Sequence, residues 1–224
     1  MGRDKLFSLM RRENLLVGRK KKYTKTTDSK HWMHKYPDLV NPLKVNRPEQ
    51  IWVADITYLS IGNEFCYLHL LTDAYSKKII GHKVSADLSS VHTIEALKQA
   101  LKSRIYSGQL IHHSDRGLQY CSGGYVQLLT KNGIQISMTQ SGSPYDNAIA
   151  ERINGILKDE FGLDGTFKNL KEAENQTKQA IRLYNEMRPH LSCAMMTPEK
   201  MHEQDTLGVK AWHKKIHKNY ERFL

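Results

Sequence analysis

From Ile51 to Met138 the hydrophobic period switches back and forth between that of a strand and that of a helix, and this order constrains the fold more than any other feature. IWVADITYL comes first. Trp52, Ala54, Ile56 and Tyr58 fall on one face of an extended segment and Val53, Asp55 and Thr57 on the other, so an acidic residue sits inside a strand. Gly62-Asn63 supplies a hairpin turn into the apolar run FCYLHLLTD, and KKIIGHKV follows the turn at Tyr75-Ser76 as a third strand. The period then changes: Ile94, Leu97, Leu101 and Ile105 share one side of a helix that starts near Ser89 or Ser90 and is expected to run to Gly108. QLIHHSD reads as a buried strand, GGYVQLLTKNG as a helix closed by Gly133, and IQISM as a fifth strand. The expectation is an α/β fold, a mixed five-stranded sheet with helices on both faces. In such sheets ligands gather beyond strand ends, and Asp115 stands at one.

After the fifth strand, Gly142 and Pro144 interrupt regular structure and Asp146 suits a helix N-cap. Ile149, Ile153, Ile156 and Leu157 recur at helical spacing and should face the core. At about 100° per residue, Asn147, Glu151, Asn154 and Lys158 form a polar stripe beside them. A lone acidic residue is most often a surface charge. Asp55, Asp115 and Glu151 gain meaning as a set, because two of them belong to apolar strands, where an unpaired carboxylate is expensive. Gathered without a cation, three carboxylates repel one another. Oxygen-only ligands favour Mg2+ or Mn2+, and two such ions about 3.5–4 Å apart stabilise both the attacking and the leaving oxygen of a phosphodiester displacement. Phosphate ester chemistry needs on the order of 20 kcal/mol of catalysis, and positioning alone supplies about 7–11 kcal/mol, so metals fill the gap.

The formal charge of +11 is concentrated at the ends: residues 1–50 carry 13 Lys and Arg against 5 Asp and Glu, whereas residues 51–200 carry 16 against 15. A basic arm around a near-neutral centre attracts a polyanion by counterion release, although a solvated lysine-rich tail has the same composition. Residues 4–13 read as a short helix with Leu6, Leu9 and Met10 on one side and Arg11 and Arg12 nearby, closed by Asn14. Arg19, Lys20, Lys21 and Lys22 then open an extended linker to about Gln50, interrupted by Pro37, Pro42 and Pro48 and expected to lie along a partner. This divides the chain into a DNA-binding arm (1–50), a catalytic core (51–165) and a helical extension with a basic tail (166–224). In the last part, Asn169 and Glu172 form a capping-box pattern for an amphipathic helix through Ala173, Ala180, Ile181, Tyr184 and Met187, stopped by Pro189. Arg188 and His190 beyond it suit either DNA contact or capping. His112 and His113 invite a zinc site, but neighbours on a strand point to opposite faces and cannot share one ion, so a packed ring is the better reading. Trp52 alternates with apolar residues and belongs to the core. The three cysteines have no paired spacing, and no run approaches the about 18 apolar residues of a membrane span, so a cytoplasmic protein without a membrane partner is expected.

The motifs WVADITY at 52–58, HSDRGLQY at 113–120, SPYDNAIAER at 143–152 and YNEMRPH at 184–190 resemble the transposases of bacterial insertion sequences with a retroviral-integrase-type (DDE) catalytic core. The 35 residues between Asp115 and Glu151, and Lys158 seven residues later, match that family's spacing. The resemblance implies an RNase H-like fold in which Asp55, Asp115 and Glu151 hold two Mg2+ while Lys158 contacts DNA near the scissile phosphate. It implies water attack to free a 3′-hydroxyl and transesterification of that hydroxyl into a second strand, with Asn147 and Asn154 positioning DNA or ligands. It further implies double-stranded DNA partners (terminal inverted repeats and target), at least a dimer on paired ends, and association with the nucleoid when bound. Residues 2–13 match only the last helix of the family's upstream helix-turn-helix, so fusion with an upstream-frame product, or truncation, is expected. Thr139, Gln140 and Ser141 replace the serine and basic pair of many relatives. A hydrolytic nuclease without strand transfer and a noncatalytic DNA-binding remnant are the competing readings.

Overall fold

The computed structural model describes residues 2–13, 15, 31–41, 43–140 and 148–204, and within them β1 (Ile51–Ile61) is the strand on which the others are arranged. β2 (Glu64–Asp73) returns antiparallel through Gly62-Asn63, where Gly62 takes φ of +52°, the left-handed value a type II′ hairpin needs at its first position. β3 (Ile79–Ser85) pairs antiparallel with β2, while β4 (Ile111–Ser114) and β5 (Gln135–Met138) extend the sheet in parallel on the other side, giving the order β3-β2-β1-β4-β5. A sixth strand, β6 (Thr166–Phe167), pairs with Ser60 and Ile61. Two residues carry no period, so it escaped the sequence reading, which counted five.

Helices cover both faces, as expected. On one, Trp52 and Ala54 pack against α2 (Ser90–Lys102), α3 (Leu118–Cys121) and α4 (Gly123–Lys131) through Ala96, Leu97, Tyr125 and Leu129. On the other, Leu59, Leu68 and Leu70 meet α5 (Ala148–Phe161) and α6 (Leu170–Met187) through Ile153, Ile156, Leu157, Ile181 and Tyr184. Each fully buried Leu or Ile among them contributes about 1.5–3 kcal/mol. Gly81 lets β3 and α2 approach closely, since a Cβ there would stand 2.3 Å from the Ala96 carbonyl oxygen.

Several boundaries differ from expectation for reasons that lie far off in sequence. α2 stops at Lys102, well short of Gly108, and Ile105 is 64% exposed instead of facing the core. The Glu49 carboxylate accepts from the backbone N–H groups of Ile105 (3.0 Å) and Tyr106 (3.1 Å), giving them partners that a continued helix would otherwise supply. β3 starts at Ile79, not Lys77, because Lys77 has φ of +66° in the preceding turn. α6 begins as expected with the Asn169 side chain accepting from Glu172 N, but Glu172 reaches back to Lys168 N instead of Asn169 N, and Met187 is exposed.

The described part of the segment read as a linker along a partner, residues 31–41 and 43–50, runs instead along the sheet. Met138 N donates to Pro37 O and Leu39 N to Ser137 Oγ, so residues 36–39 cover the β5 edge. Met33 and Tyr36 pack on the α2 side of the core, and Leu39, Val40 and Val45 on the cluster of Ile51, Val53 and Ile111. Beyond α6, α7 (Pro198–His202) is held by a buried charge cluster: His202 faces Asp73 through Nδ1 (3.6 Å) and Glu49 through Nε2 (3.5 Å). Burial alone would lower the His202 pKa. The carboxylates of Asp73 and Glu49 overturn that and raise it to about 9.

Candidate active site

Strand register brings the first two carboxylates together. β1 and β4 run parallel with Val53 beside His113, so two residues further on Asp55 and Asp115 are level, at the point where β4 has ended. Asp55 shares its face of β1 with Val53 and Leu59, the face covered by α5, so a residue of α5 can reach it. Asn154 does: its Nδ2 donates to Asp55 Oδ2 at 2.6 Å. Asp115 forms a tight turn in which Gly117 N donates to its Oδ1 at 2.9 Å. Glu151 lies one turn before Asn154 on α5, exposed at the rim.

The electrostatics show that Asp55 senses the other two. Burial, then Asp115, and to a lesser degree Glu151 push the Asp55 carboxyl up to about 7, against the opposing hydrogen bonds from Ile56 and Asn154. Partial burial raises Glu151 as well. Tyr120 is buried, and its phenol is pushed far up by burial and by the charges of Asp115 and Asp55. A concentration of negative charge that holds one member near half-protonation at neutral pH suits a divalent cation, and the oxygen-only donors fit magnesium or manganese. Among the described residues, no three His, Cys, Asp or Glu side chains are already gathered as a cage for one ion. Asp55 and Asp115 stand level on neighbouring strands, and Glu151 lies on α5, which covers that face of β1. The Asn154 Oδ1 is buried and has no hydrogen-bond partner among the described residues.

The other expected residues are distributed as follows. Lys158 is half-buried on the Glu151–Asn154 side of α5, about 10 Å along the axis from Glu151 at the α-helical rise. Arg188 is drawn elsewhere: its guanidinium closes on both oxygens of Glu160 (2.6 and 2.7 Å) at the end of α6. Arg11 and Arg12 lie on α1 (Arg3–Arg12), which buries none of its residues, and Arg12 pairs with Glu13. Asn147, Arg19, Lys20, Lys21 and Lys22 lie outside the described residues, as do the expected caps Asn14 and Asp146. His112 and His113 point to opposite sides, His112 Nε2 to Tyr125 OH (2.8 Å) and His113 Nδ1 to Ser137 Oγ (2.9 Å), which makes both packed rings and not ligands of one ion. His190 hydrogen-bonds Ser192 Oγ, and burial lowers its pKa to about 4. Tyr120 and Arg116 were missed as site residues, although both lie inside the HSDRGLQY motif.

A mixed sheet of this order, with a strand-borne aspartate beside a second at a parallel strand's end and a glutamate on a covering helix, defines an RNase H-like integrase core. Residues 45–144 and 132–198 each match a model of the integrase core domain. The HTLV-2 integrase catalytic core domain in complex with magnesium (trimeric form) superposes with a TM-score of 0.56 at 23% identity, over 70% of this chain and 97% of that one. A chain of the simian T-cell lymphotropic virus intasome in complex with PP2A regulatory subunit B56 gamma gives 0.62 at 21% identity, over 85% and 66%. The insertion element IS600 uncharacterized 31 kDa protein of Shigella sonnei is 34% identical over 91% of this chain and 76% of its own length. The putative transposase for IS986/IS6110 of Mycobacterium tuberculosis is 36% identical over 69% and 58%, and the transposase for IS629 of Shigella sonnei 40% over 63% and 48%. The chain belongs to this family of insertion-sequence transposases with an integrase-type core, and it spans between about half and three quarters of these relatives' length.

Proposed function

We propose that the chain is a DDE transposase that cleaves DNA at the ends of a mobile element and joins the freed 3′-hydroxyl to a second strand, using Asp55, Asp115 and Glu151 to hold two Mg2+, for which Mn2+ substitutes. The observation that supports this best is the perturbation of Asp55, lifted to about 7 by burial, Asp115 and Glu151 while Asn154 is fastened to it. Bound ions would activate the attacking oxygen and stabilise the leaving one, acting alike on water in the first step and on the 3′-hydroxyl in the second. The chain's own residues set the geometry. Asn154 fixes the rotamer of Asp55, the Gly117 N–H fixes that of Asp115, and Glu151 closes the site from a helix whose Lys158 faces the DNA backbone. The partners are double-stranded element ends and target DNA in the bacterial nucleoid, held by at least two copies of the chain.

Incubation of the purified protein with Mg2+ or Mn2+ and a labelled duplex carrying the element's terminal repeats tests this. Joined products are expected from the wild type and none from Glu151→Gln. Nicked products without joining would instead favour the hydrolytic nuclease, and full activity in Glu151→Gln would remove the proposed site.

A further inference from the structure

We propose that Lys35 and Arg116 form a phosphate-binding site beside the catalytic carboxylates, built by the strap of residues 31–40, whose ligand is the backbone of the DNA strand entering the site; the identity of that ligand rests on the function proposed above. The strap is fastened at its start by the His31 ring, whose Nε2 donates to the carbonyl oxygen of Arg116 at 2.7 Å, one residue past Asp115. It is fastened again by Met33 and Tyr36 in the core, by Pro37 O accepting from Met138 N, and by Leu39 N donating to Ser137 Oγ. Lys35 is thus held between anchored neighbours. A lysine on a solvated linker would have no such fixed position.

Arg116 supplies the second observation. Its Nε–H is buried and has no acceptor among the described residues. A buried donor left unpaired is costly, more so when charged, and a phosphate oxygen is the acceptor that a guanidinium matches best. Lys35 and Arg116 belong to one neighbourhood with Asp115, since all three charges act on the Cys121 thiol, the two cations opposing the carboxylate. Without such cations the carboxylates would repel an approaching phosphodiester. With them, a strand is drawn to the side of the site at which β4 ends.

The test measures binding of the full chain to a duplex of arbitrary sequence without divalent metal, at KCl concentrations from about 50 to 200 mM, where phosphate contacts dominate affinity. Lys35→Gln and Arg116→Gln are each expected to make the slope of log K against log[KCl] shallower by about 0.9, and the double variant by about twice that. Lys35→Arg and Arg116→Lys should keep the wild-type slope, which a merely structural role would not follow. Thermal melts identify any variant that fails to fold, and Lys35→Gln alone then carries the test. Unchanged slopes in folded Gln variants overturn the phosphate site. Changed slopes in a protein that never cleaves DNA with Mg2+ leave the site standing and overturn the catalytic reading instead.

Discussion

At Asp55 the electrostatic conflict of the site is most acute, and it makes the metal-free protein pH-sensitive in a definite direction. The native pKa of about 7 lies above the ordinary 3.8, so the folded state holds the proton more tightly than the unfolded chain. The associated stability is present in full below about pH 4 and is lost as pH rises through 7. In EDTA near pH 8, Asp55→Asn should therefore melt above the wild type, by an amount on the order of a few kcal/mol, and the gain should vanish near pH 4. A melting temperature lowered equally at both pH values would show that the carboxylate is not strained. Asn154 makes a complementary case, since Asn154→Leu removes the hydrogen bond to the proposed metal ligand Asp55 together with an oxygen that has no partner among the described residues. Metal affinity and activity should fall about 10–100-fold with little loss of stability, as judged by Mg2+ titration and melting. These two residues were legible because strand alternation and helical spacing place them. Lys35 and Arg116 were not, because the strap that joins them links residues 85 apart in sequence through His31 and the Arg116 carbonyl.

Among the elements, the long periodic ones could be read directly: β1 to β5, α2, α4, α5 and α6 all appear where the apolar spacing puts them. What the pattern could not show was where distant side chains stop or start an element. Glu49 ends up at the N–H groups after α2 from 56 residues away, and Arg188 turns to Glu160 because α5 and α6 lie together. α7 is the strongest case, since His202 is a single residue whose meaning depends on Asp73 and Glu49. Its raised pKa gives the same pH sign as that of Asp55, over a more alkaline range. The stability it contributes is complete below the ordinary 6.5 and is lost as pH rises through about 9. Hydrogen exchange in α7 should therefore accelerate between pH 7 and 10 beyond the intrinsic rate. His202→Gln should remove that dependence and destabilise the fold by about 3–5 kcal/mol at pH 7, because buried Asp73 loses its cation and buried Glu49 keeps only Arg104 at 3.4 Å. Identical pH profiles for α7 exchange in both proteins would show that His202 is neutral in the fold.

At the level of the whole molecule, charge and packing divide the N-terminal fifty residues differently. By composition they are one basic arm; by structure, α1 buries nothing while Met33, Tyr36, Leu39, Val40 and Val45 pack against the core. Two truncations separate these contributions. A chain beginning at residue 31 loses 10 Lys and Arg but keeps the strap, the β5 edge cover and Glu49. It should keep its cooperative melt and lose DNA affinity, with a shallower salt slope. A chain beginning at residue 46 additionally loses Tyr36, Leu39, Val40 and Val45 from the core and uncovers a strand edge next to apolar side chains. Unpaired edges of that kind template association, so this shorter chain should melt at a lower temperature and aggregate during purification, with both traits visible by light scattering on heating. Equal melting and solubility in the two truncations would mean that residues 31–45 lie on the sheet without supporting it, and the catalytic core would then begin where the alternating strand pattern begins.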